Sequence, residues 1–334
     1  MGKRNKILWA AGVMAIAGLF VTEMLTGSAG ISAGDVWKAV SGGSVSEQAR
    51  LIVTEIRLPR TLTALLAGMA ISVSGLLMQT LFRNPLAGPY VLGISSGASF
   101  GAAVCVLGTS ASAALAGSRL LVSLGTAGAA WIGAAAVLGM VAAVSRKIGD
   151  ITVILILGMM LGAGIDALVQ ILQFLSDEQA LKSYVVWTMG SLGNVSGTEL
   201  WILSAAVLSG LAITAASCKA LNLMLLGEDY AVSGGVDVRR WRLAVFLATV
   251  LLAGTATAFC GPVGFVGLAV PHLARLAAGN ADHRVLIPAT LLCGGALMMS
   301  CDIIARLAAI PINAVTSLAG IPAVIWIILS QRKI

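Results

Sequence analysis

The stretch TLTALLAGMAISVSGLLMQTLF, residues 61–82, contains no charged side chain. A predominantly apolar run of about 18 residues or more is long enough to cross the hydrocarbon core of a bilayer as a helix. Inside that core every backbone N–H and C=O group must be paired within its own segment, so such a run has to be helical. A second uncharged run extends from Leu120 to Val144. The two runs predict an all-α protein that crosses a membrane more than once.

The composition of the whole chain supports this class. Of the 334 residues, 58% are hydrophobic and only 10% are charged, whereas a soluble domain is roughly half apolar and about a quarter charged. The net charge of +7 could indicate a nucleic-acid partner. In a membrane protein, however, it is better explained by lysines and arginines that gather in cytoplasmic segments. We therefore expect the lipid bilayer, and no nucleic acid, as a partner.

Ten apolar runs are candidate transmembrane spans. They cover residues 7–24, 61–82, 93–115, 120–144, 151–175, 198–216, 243–260, 264–278, 285–301 and 315–329. With the N-terminus in the cytoplasm, thirteen of the 21 basic residues fall on the cytoplasmic side and seven on the other. Because basic residues concentrate on the cytoplasmic side, both termini are predicted to be cytoplasmic. Residues 1–334 are predicted to form one transmembrane domain, with a periplasmic loop at about 26–60 and a cytoplasmic loop at about 217–242.

Sequence patterns for catalysis and for metal binding are missing. The chain has no G-x-x-x-x-G-K-[ST] phosphate loop, so it is not expected to hydrolyse ATP by that route. The five cysteines show no C-x-x-C spacing, which argues against a metal cluster or a disulfide framework. The two histidines, His272 and His283, are expected to make hydrogen bonds at helix ends. The sequence thus predicts no catalytic residue, metal or cofactor in this chain.

Two regions rich in glycine and proline interrupt the apolar pattern, one in each half of the chain. In the first, Pro85 and Pro89 stop a helix, and Gly93, Gly97 and Gly101 follow at a spacing that favours close helix packing. The second region begins at Cys260. An interrupted segment in each half is also typical of inverted repeats around a central pathway.

A carboxylate stands in the centre of the fifth predicted span. Asp166 is followed at helical spacing by Gln170 and Gln173, which places the three on one helix face. A charge at this depth is costly, about 2.5–3.5 kcal/mol on insertion scales. The stripe is therefore interpreted either as lining a wet translocation path or as making a hydrogen bond to another helix.

Three long stretches resemble the FecCD family, the permeases of bacterial ABC importers for iron–siderophores, haem and cobalamin. They are RLPRTLTALLAGMAISVSGLLMQTLFRNPLAGPYVLGISSGASFGA at 57–102, GPVGFVGLAVPHLARLAAGNADHRVLIP at 261–288 and DIIARLAAIPINAVTSLAGIPAVIWIIL at 302–329. The resemblance implies the ten-helix type II importer fold in the bacterial inner membrane. It also implies two permease copies, identical or sister chains, and a periplasmic binding protein. Two separate ATPase subunits would bind the ATP and magnesium.

The resemblance also implies a role for the one dense polar stretch, LGEDYAVSGGVDVRRWR at 226–242. It matches the coupling loop that docks in a groove of the ATPase. The residues assigned to it are Leu226, Gly227, Glu228, Asp229, Tyr230, Ala231, Gly235, Arg239 and Arg240. Asp229 and Tyr230 stand where the family's loosely shared E-A-A-x-x-x-G pattern has Glu and Ala, so the match is one of position.

Further roles follow from the same resemblance. Arg57 and Arg60, in RLPR, and Arg306, in DIIAR, match positions that pair with glutamates of the binding protein; snorkelling towards the membrane interface is the alternative. A second set, Asn84, Pro85, Leu86 and Thr152, is assigned to the cytoplasmic gate. Asp166 is not part of the family pattern.

Competing functions remain open on sequence grounds. The leading hypothesis is the permease subunit of an ATP-driven importer for an iron chelate, a siderophore or haem, and cobalamin is the alternative cargo. A different class is an autonomous ion-coupled carrier with Asp166 as its ion site. An intramembrane enzyme has no nucleophile–base pair in its favour.

Overall fold

The structure is a computed structural model that describes residues 3–27, 29–108, 119–145, 148, 150–195 and 197–331. These residues form helices and connecting turns, without a strand. The helices are α1 (Lys3–Leu25), α2 (Ala33–Ser41), α3 (Glu47–Leu81), α4 (Ile94–Leu107), α5 (Arg119–Ser145), α6 (Ile151–Leu175), α7 (Glu178–Thr188), α8 (Thr198–Ala216), α9 (Cys218–Met224), α10 (Glu228–Ser233), α11 (Val238–Cys260), α12 (Val266–Ala278), α13 (His283–Ala308) and α14 (Ile312–Gln331).

The prediction of an all-α polytopic membrane protein is confirmed. Seven of these helices, α1, α3, α5, α6, α8, α11 and α13, are long and apolar enough to cross a bilayer. Three shorter apolar helices, α4, α12 and α14, coincide with the remaining predicted spans. Residues 109–115 of the third predicted span lie outside the described residues. The same is true of four residues in the topology count, Arg146, Lys147, Arg332 and Lys333.

The core is built around α3, whose apolar window is 78% buried. Its glycines let neighbouring backbones come close. A β-carbon on Gly68 would collide with the carbonyl of Gly294 in α13, and one on Gly75 with the carbonyl of Gly267 in α12. Because small residues allow close approach, dispersion contacts and hydrogen bonds can hold helices together where lipid gives no hydrophobic driving force.

The three glycines of the predicted ridge all allow close packing, but Gly93 lies against α6 while Gly97 and Gly101 lie against α5. A β-carbon on Gly97 would lie 2.5 Å from the carbonyl oxygen of Gly133 in α5, and one on Gly101 would collide with the carbonyl of Ala129. Gly93, at φ +73°, turns the chain from a short 3₁₀ segment into α4. Gly97 and Gly101 therefore pack α4 directly against the backbone of α5.

The two regions predicted as loops are largely folded. Within 26–60 the structure forms α2 and then begins α3 at Glu47, so Arg57 and Arg60 lie in a helix and not in a loop. Within 217–242 it forms α9, α10 and the first turn of α11. Helices α3 and α11 begin before the predicted spans 61–82 and 243–260, because their first turns carry charged residues that lie ahead of the apolar runs.

The two glycine- and proline-rich regions meet in space. The Tyr90 hydroxyl accepts a hydrogen bond from the backbone N–H of Val263 at 3.2 Å. His272 in α12 lies 2.9 Å from the carbonyl oxygen of Pro85. The non-helical segment after α3 therefore runs along α12. There, backbone groups that lack a partner within a helix, such as the Pro85 carbonyl, are hydrogen-bonded inside the protein.

Candidate functional site

We call residues 217–242, which contain the predicted coupling loop, the coupling segment. A partly buried ion pair holds its conformation. The Arg242 side chain is almost fully buried, and its guanidinium donates to Glu228 at 2.5 Å and to the Ser145 carbonyl at 3.4 Å. Gly227 at φ +120° and Gly235 at φ +76° make the turns that precede and follow α10, conformations that glycine adopts without steric cost. Arg242 and Glu228 therefore close the segment into a compact unit.

The exposed side chains of the coupling segment are mixed in character. Leu226 is 65% exposed and Tyr230 55%, and Asp229 is also exposed. Arg239 and Arg240 are exposed on the first turn of α11, whereas Ala231 is fully buried. Apolar, acidic and basic groups side by side are suited to docking a protein partner, because aromatic anchors and charge pairs both contribute to such interfaces.

We call residues 82–88 the gate loop. Its second residue, Arg83, has a left-handed conformation, φ +45°, which is uncommon for a residue other than glycine. The side-chain oxygen of Asn84 accepts from the backbone N–H of Leu86 at 2.9 Å, and the Leu86 side chain is 46% exposed. Thr152 lies at the start of α6, where its backbone N–H is capped by Asp150 at 2.8 Å.

The gate loop and the coupling segment lie side by side at one end of the molecule, which we call the gate face. Arg83, Thr152 and residues 226–230 line one open depression of about 920 Å³. A β-carbon on Gly227 would lie only 3.8 Å from the Arg83 guanidinium. Two sets of residues that sequence comparison assigned to different roles thus share one surface.

The three arginines assigned to docking lie together at another depression, of about 510 Å³, which we call the arginine face. It is lined by Thr26, Gly27, Ala29, Ile52, Ile56, Arg57, Arg60, Arg306 and Leu307. The resemblance implied that these arginines pair with glutamates of a separate binding protein. The structure shows instead that each one bonds to other parts of the chain.

Arg57 is 3% exposed. Its guanidinium donates to the carbonyl oxygens of Met24 at 2.8 Å, Leu25 at 3.4 Å and Ala29 at 2.7 Å. Carbonyls at the end of a helix have no partner within the helix, and Arg57 supplies one for α1. Arg57 is therefore engaged within the subunit and is not an accessible charge.

Arg60 and Arg306 both bind Asp302, whose side chain is fully buried. Arg60 makes a two-pronged contact at 2.8 and 2.9 Å, and Arg306 approaches at 3.1 Å from one turn later in α13. Arg306 also lies 3.4 Å from the carboxylate of Glu23, which is completely buried. The Arg60 side chain is 27% exposed and is more accessible than that of Arg306, which is 12% exposed.

Sequence reasoning missed Asp302 and Glu23 as members of this cluster. Both stand close to the end of a predicted span, and Asp302 opens the quoted DIIAR motif. Their position beside an apolar run was the available signal, because an acid there needs either water or a partner.

The predicted polar stripe on α6 faces outward. Asp166 and Gln170 are exposed and Gln173 is half-buried in the single chain. The stripe approaches α7, where burial, and to a smaller degree the charge of Asp166, raises the pKa of Tyr184. Asp166 is therefore not buried inside the subunit, whereas Glu23, Glu199 and Asp302, which lie near helix ends, are buried.

The chain is similar to known transport proteins along its whole length. The profile of the FecCD transport family matches residues 14–330. The hemin transport system permease protein HmuU of Yersinia pestis is 40% identical over 283 residues, which is 83% of this chain and 83% of HmuU. The vitamin B12 import system permease protein BtuC of Klebsiella pneumoniae subsp. pneumoniae is 35% identical over 334 residues, 99% of this chain and 96% of BtuC.

The fold has a close counterpart among solved structures. A structure described as an inward-facing conformation of a metal-chelate type ABC transporter superimposes with a TM-score of 0.82. The two chains are 30% identical, and the match covers 98% of this chain and 99% of the other.

Proposed function

The chain belongs to the FecCD transport family, as a permease subunit of an ABC importer and not as an enzyme, and from this premise we propose that its cargo is an iron chelate, a ferric siderophore or haem. The hemin permease HmuU has the higher identity of the two relatives compared above, 40% against 35% for BtuC. We place the chain in the bacterial inner membrane, with the gate face towards the cytoplasm and the arginine face towards the periplasm.

One observation carries the importer mechanism. The gate loop and the coupling segment share the depression of about 920 Å³, so a partner that pushes on the coupling segment acts directly beside the gate. In this proposal the exposed Leu226, Asp229, Tyr230, Arg239 and Arg240 contact the ATPase, and Asn84, Pro85, Leu86 and Thr152 close the pathway. Rigid-body movement of packed elements is a common way for such a push to be transmitted.

The proposed assembly contains a second permease copy, two ATPase subunits and a periplasmic binding protein. ATP and magnesium belong to the ATPase subunits, and this chain supplies no cofactor site of its own. The translocation pathway runs between the two permease copies along α6, where the outward-facing Asp166, Gln170 and Gln173 would meet water. Whether the second copy is identical or a sister chain does not alter these roles.

The binding protein docks on the arginine face. Arg60, which keeps part of its side chain exposed, offers the positive charge that a glutamate of the partner would approach. Arg57 and Arg306 hold the surface in place through their contacts to α1 and to Asp302. A pair between exposed charges contributes only about 0.2–1 kcal/mol, so docking charges act mainly on the encounter rate and on orientation.

The cargo is tested by reconstituting the permease with its ATPase subunits in proteoliposomes. The binding protein is supplied on the side of the membrane that the arginine face reaches, and ATP on the opposite side. Hemin, a ferric hydroxamate siderophore and cyanocobalamin serve as the three probes. We expect ATP-dependent uptake of hemin or of the ferric hydroxamate, and no uptake of cyanocobalamin. Uptake of cyanocobalamin alone would replace iron chelate by cobalamin as the cargo.

The same vesicles separate the importer from an ion-coupled carrier. An ATPase subunit that binds but does not hydrolyse ATP should abolish uptake. If uptake instead continued under an imposed proton or sodium gradient, the ATP-driven mechanism would be wrong and Asp166 would become the candidate ion site.

A further inference from the structure

A chain of hydrogen bonds links the coupling segment to the first residue of α13. Asn222, in α9, accepts at its side-chain oxygen from the backbone N–H of His283 at 2.9 Å and lies 2.7 Å from the ring Nδ1 of the same residue. Its side-chain amide donates to Asp282 at 2.7 Å. His283 is the first residue of α13 and is fully buried.

The other ring nitrogen of His283 reaches α3. Its Nε2 lies 2.9 Å from the hydroxyl oxygen of Thr80, which is also buried. Because the amide of Asn222 is directed at Asp282, its oxygen must accept, so Nδ1 carries a proton. A neutral ring then accepts the Thr80 hydroxyl proton at Nε2, and both ring nitrogens are satisfied.

The two ends of this bridge are the two elements that the proposed mechanism must connect. Asn222 lies four residues before Leu226, in the part of the coupling segment that leads into its exposed surface. Thr80 lies in the last turn of α3, and its backbone carbonyl accepts from Arg83 at 3.2 Å. The preceding residue, Gln79, accepts from the backbone N–H of Asn84 at 3.2 Å. The gate loop is therefore hydrogen-bonded to the turn that His283 holds.

Alternative connections at the gate face are weaker. The Arg83 side chain approaches Gly227, but Arg83 is exposed and a contact in water transmits little force. His272 holds the Pro85 carbonyl to α12, and α12 is outside the coupling segment. The bridge through His283 begins inside the coupling segment at the half-buried Asn222, and it is fully buried at His283 and Thr80.

The Thr80 hydroxyl does not need His283 merely to be satisfied. Without His283, the single proton of this hydroxyl could be donated to the carbonyl of Leu76, one turn earlier in α3, which lies 2.9 Å away. Thr63 in the same helix is equally buried and bonds in that way to Pro59 at 2.8 Å. A threonine at position 80 thus adds a link between helices that a purely structural threonine at position 63 does not make.

We propose that the Asn222–His283–Thr80 bridge is a positioning link through which the coupling segment moves the gate loop. The inference rests on the proposed function of these two elements. It requires that loss of either end uncouples gate movement from the nucleotide state without preventing the ATPase from binding.

The test uses the full permease–ATPase complex with a single reporter cysteine in place of Leu86, in a background without the five native cysteines. The rate of labelling by a water-soluble maleimide is measured without nucleotide and after trapping with ATP and vanadate. The variants are Thr80→Val and Asn222→Leu, each alone and combined. Thr63→Val is the matched control, because it removes the same hydroxyl from the same helix.

We expect the parent and Thr63→Val to show the same nucleotide-dependent change in labelling. In Thr80→Val and in Asn222→Leu the change should fall by about 5-fold or more, which is the lower end of typical coupling between sites. The double variant should be no worse than either single one, since both remove the same link. ATPase co-purification and ATP hydrolysis should stay at the parent level.

A nucleotide-dependent change that survives in both single variants would overturn the link and leave the proposed function standing. An additive double variant would overturn it as well, because the two ends would then act independently. If the parent itself showed no change at position 86, the gate assignment would fail, and the link would fall with it. If Thr80→Val does not assemble, Asn222→Leu alone decides between these outcomes.

Discussion

Asp302 is the residue on which the arginine face depends most strongly. Its buried carboxylate binds both Arg60 and Arg306, and removing one partner of a buried pair leaves an uncompensated charge that costs about 3–5 kcal/mol. We expect Asp302→Asn to lower the free energy of unfolding by this amount. Thermal unfolding in detergent measures the change.

The exposed Asp166 supplies the control for that measurement. Asp166→Asn removes the same charge from a side chain that the subunit does not bury, so its unfolding temperature should equal that of the parent. Equal destabilisation by the two variants would mean that the observed pairing of Asp302 contributes nothing to stability.

Asp166 also allows the proposed pathway to be tested at the level of one side chain. A cysteine at 166, in a background without native cysteines, should react with a small water-soluble thiol reagent in the assembled transporter. Leu168 is 49% exposed and points to the opposite side of α6, because residues two apart do not share a helix face. A cysteine there should be protected by lipid or protein. Labelling of 168 with protection of 166 would place the pathway on the other side of the helix.

At the scale of the helix, Arg57 stabilises the end of α1 through the carbonyls of Met24 and Leu25, and it also binds the carbonyl of Ala29 in the turn that follows. Arg57→Met keeps most of the side-chain volume and removes the donors, and each buried acceptor left without a partner costs about 1–3 kcal/mol. We expect faster amide hydrogen exchange at the end of α1 and a lower unfolding temperature. The matched control is Arg50→Met, because Arg50 is exposed in the same helix as Arg57.

If exchange at the end of α1 is unchanged in Arg57→Met, those hydrogen bonds do not hold the helix end. The outcome also affects how docking is tested. A charge reversal at Arg57 disturbs a buried cap, so a loss of uptake in such a variant cannot by itself report on binding-protein docking. Arg60→Glu read against the stability of Asp302→Asn is the more direct comparison.

The ten apolar helices could be predicted from the sequence, but their connections could not. A bilayer imposes length and hydropathy on each span, and this requirement is visible in a single run such as 61–82. The short helices α2, α7 and α10 carry no such signature, because they lie where water can satisfy the backbone. The role of Arg57 was equally invisible, since its acceptors are carbonyls about 30 residues away in the chain and any residue has a carbonyl.

At the scale of the whole molecule, the sequence predicted the gate and coupling residues separately, by resemblance, and the fold brings them to one face. Their adjacency depends on the glycines that set the spacing between α3 and its neighbours and on the path of the gate loop along α12. Both are properties of packed backbones that side-chain patterns do not report. The same packing gives the molecule two separate depressions, with the arginine face and the gate face lined by different helix termini.

Recruitment of the ATPase tests that division of the molecule. We expect Arg239→Glu combined with Arg240→Glu to weaken co-purification of the ATPase subunit while the permease remains inserted. Both arginines are exposed, and the partly buried Arg242–Glu228 pair is left intact. Lys38→Glu combined with Arg50→Glu makes the same change in net charge at exposed positions near the arginine face, and should leave recruitment unchanged. Exposed charges are screened over about 8–10 Å at physiological salt, so the parent complex should itself weaken at high ionic strength. If the two double variants recruit the ATPase equally well, the coupling segment has been assigned to the wrong partner.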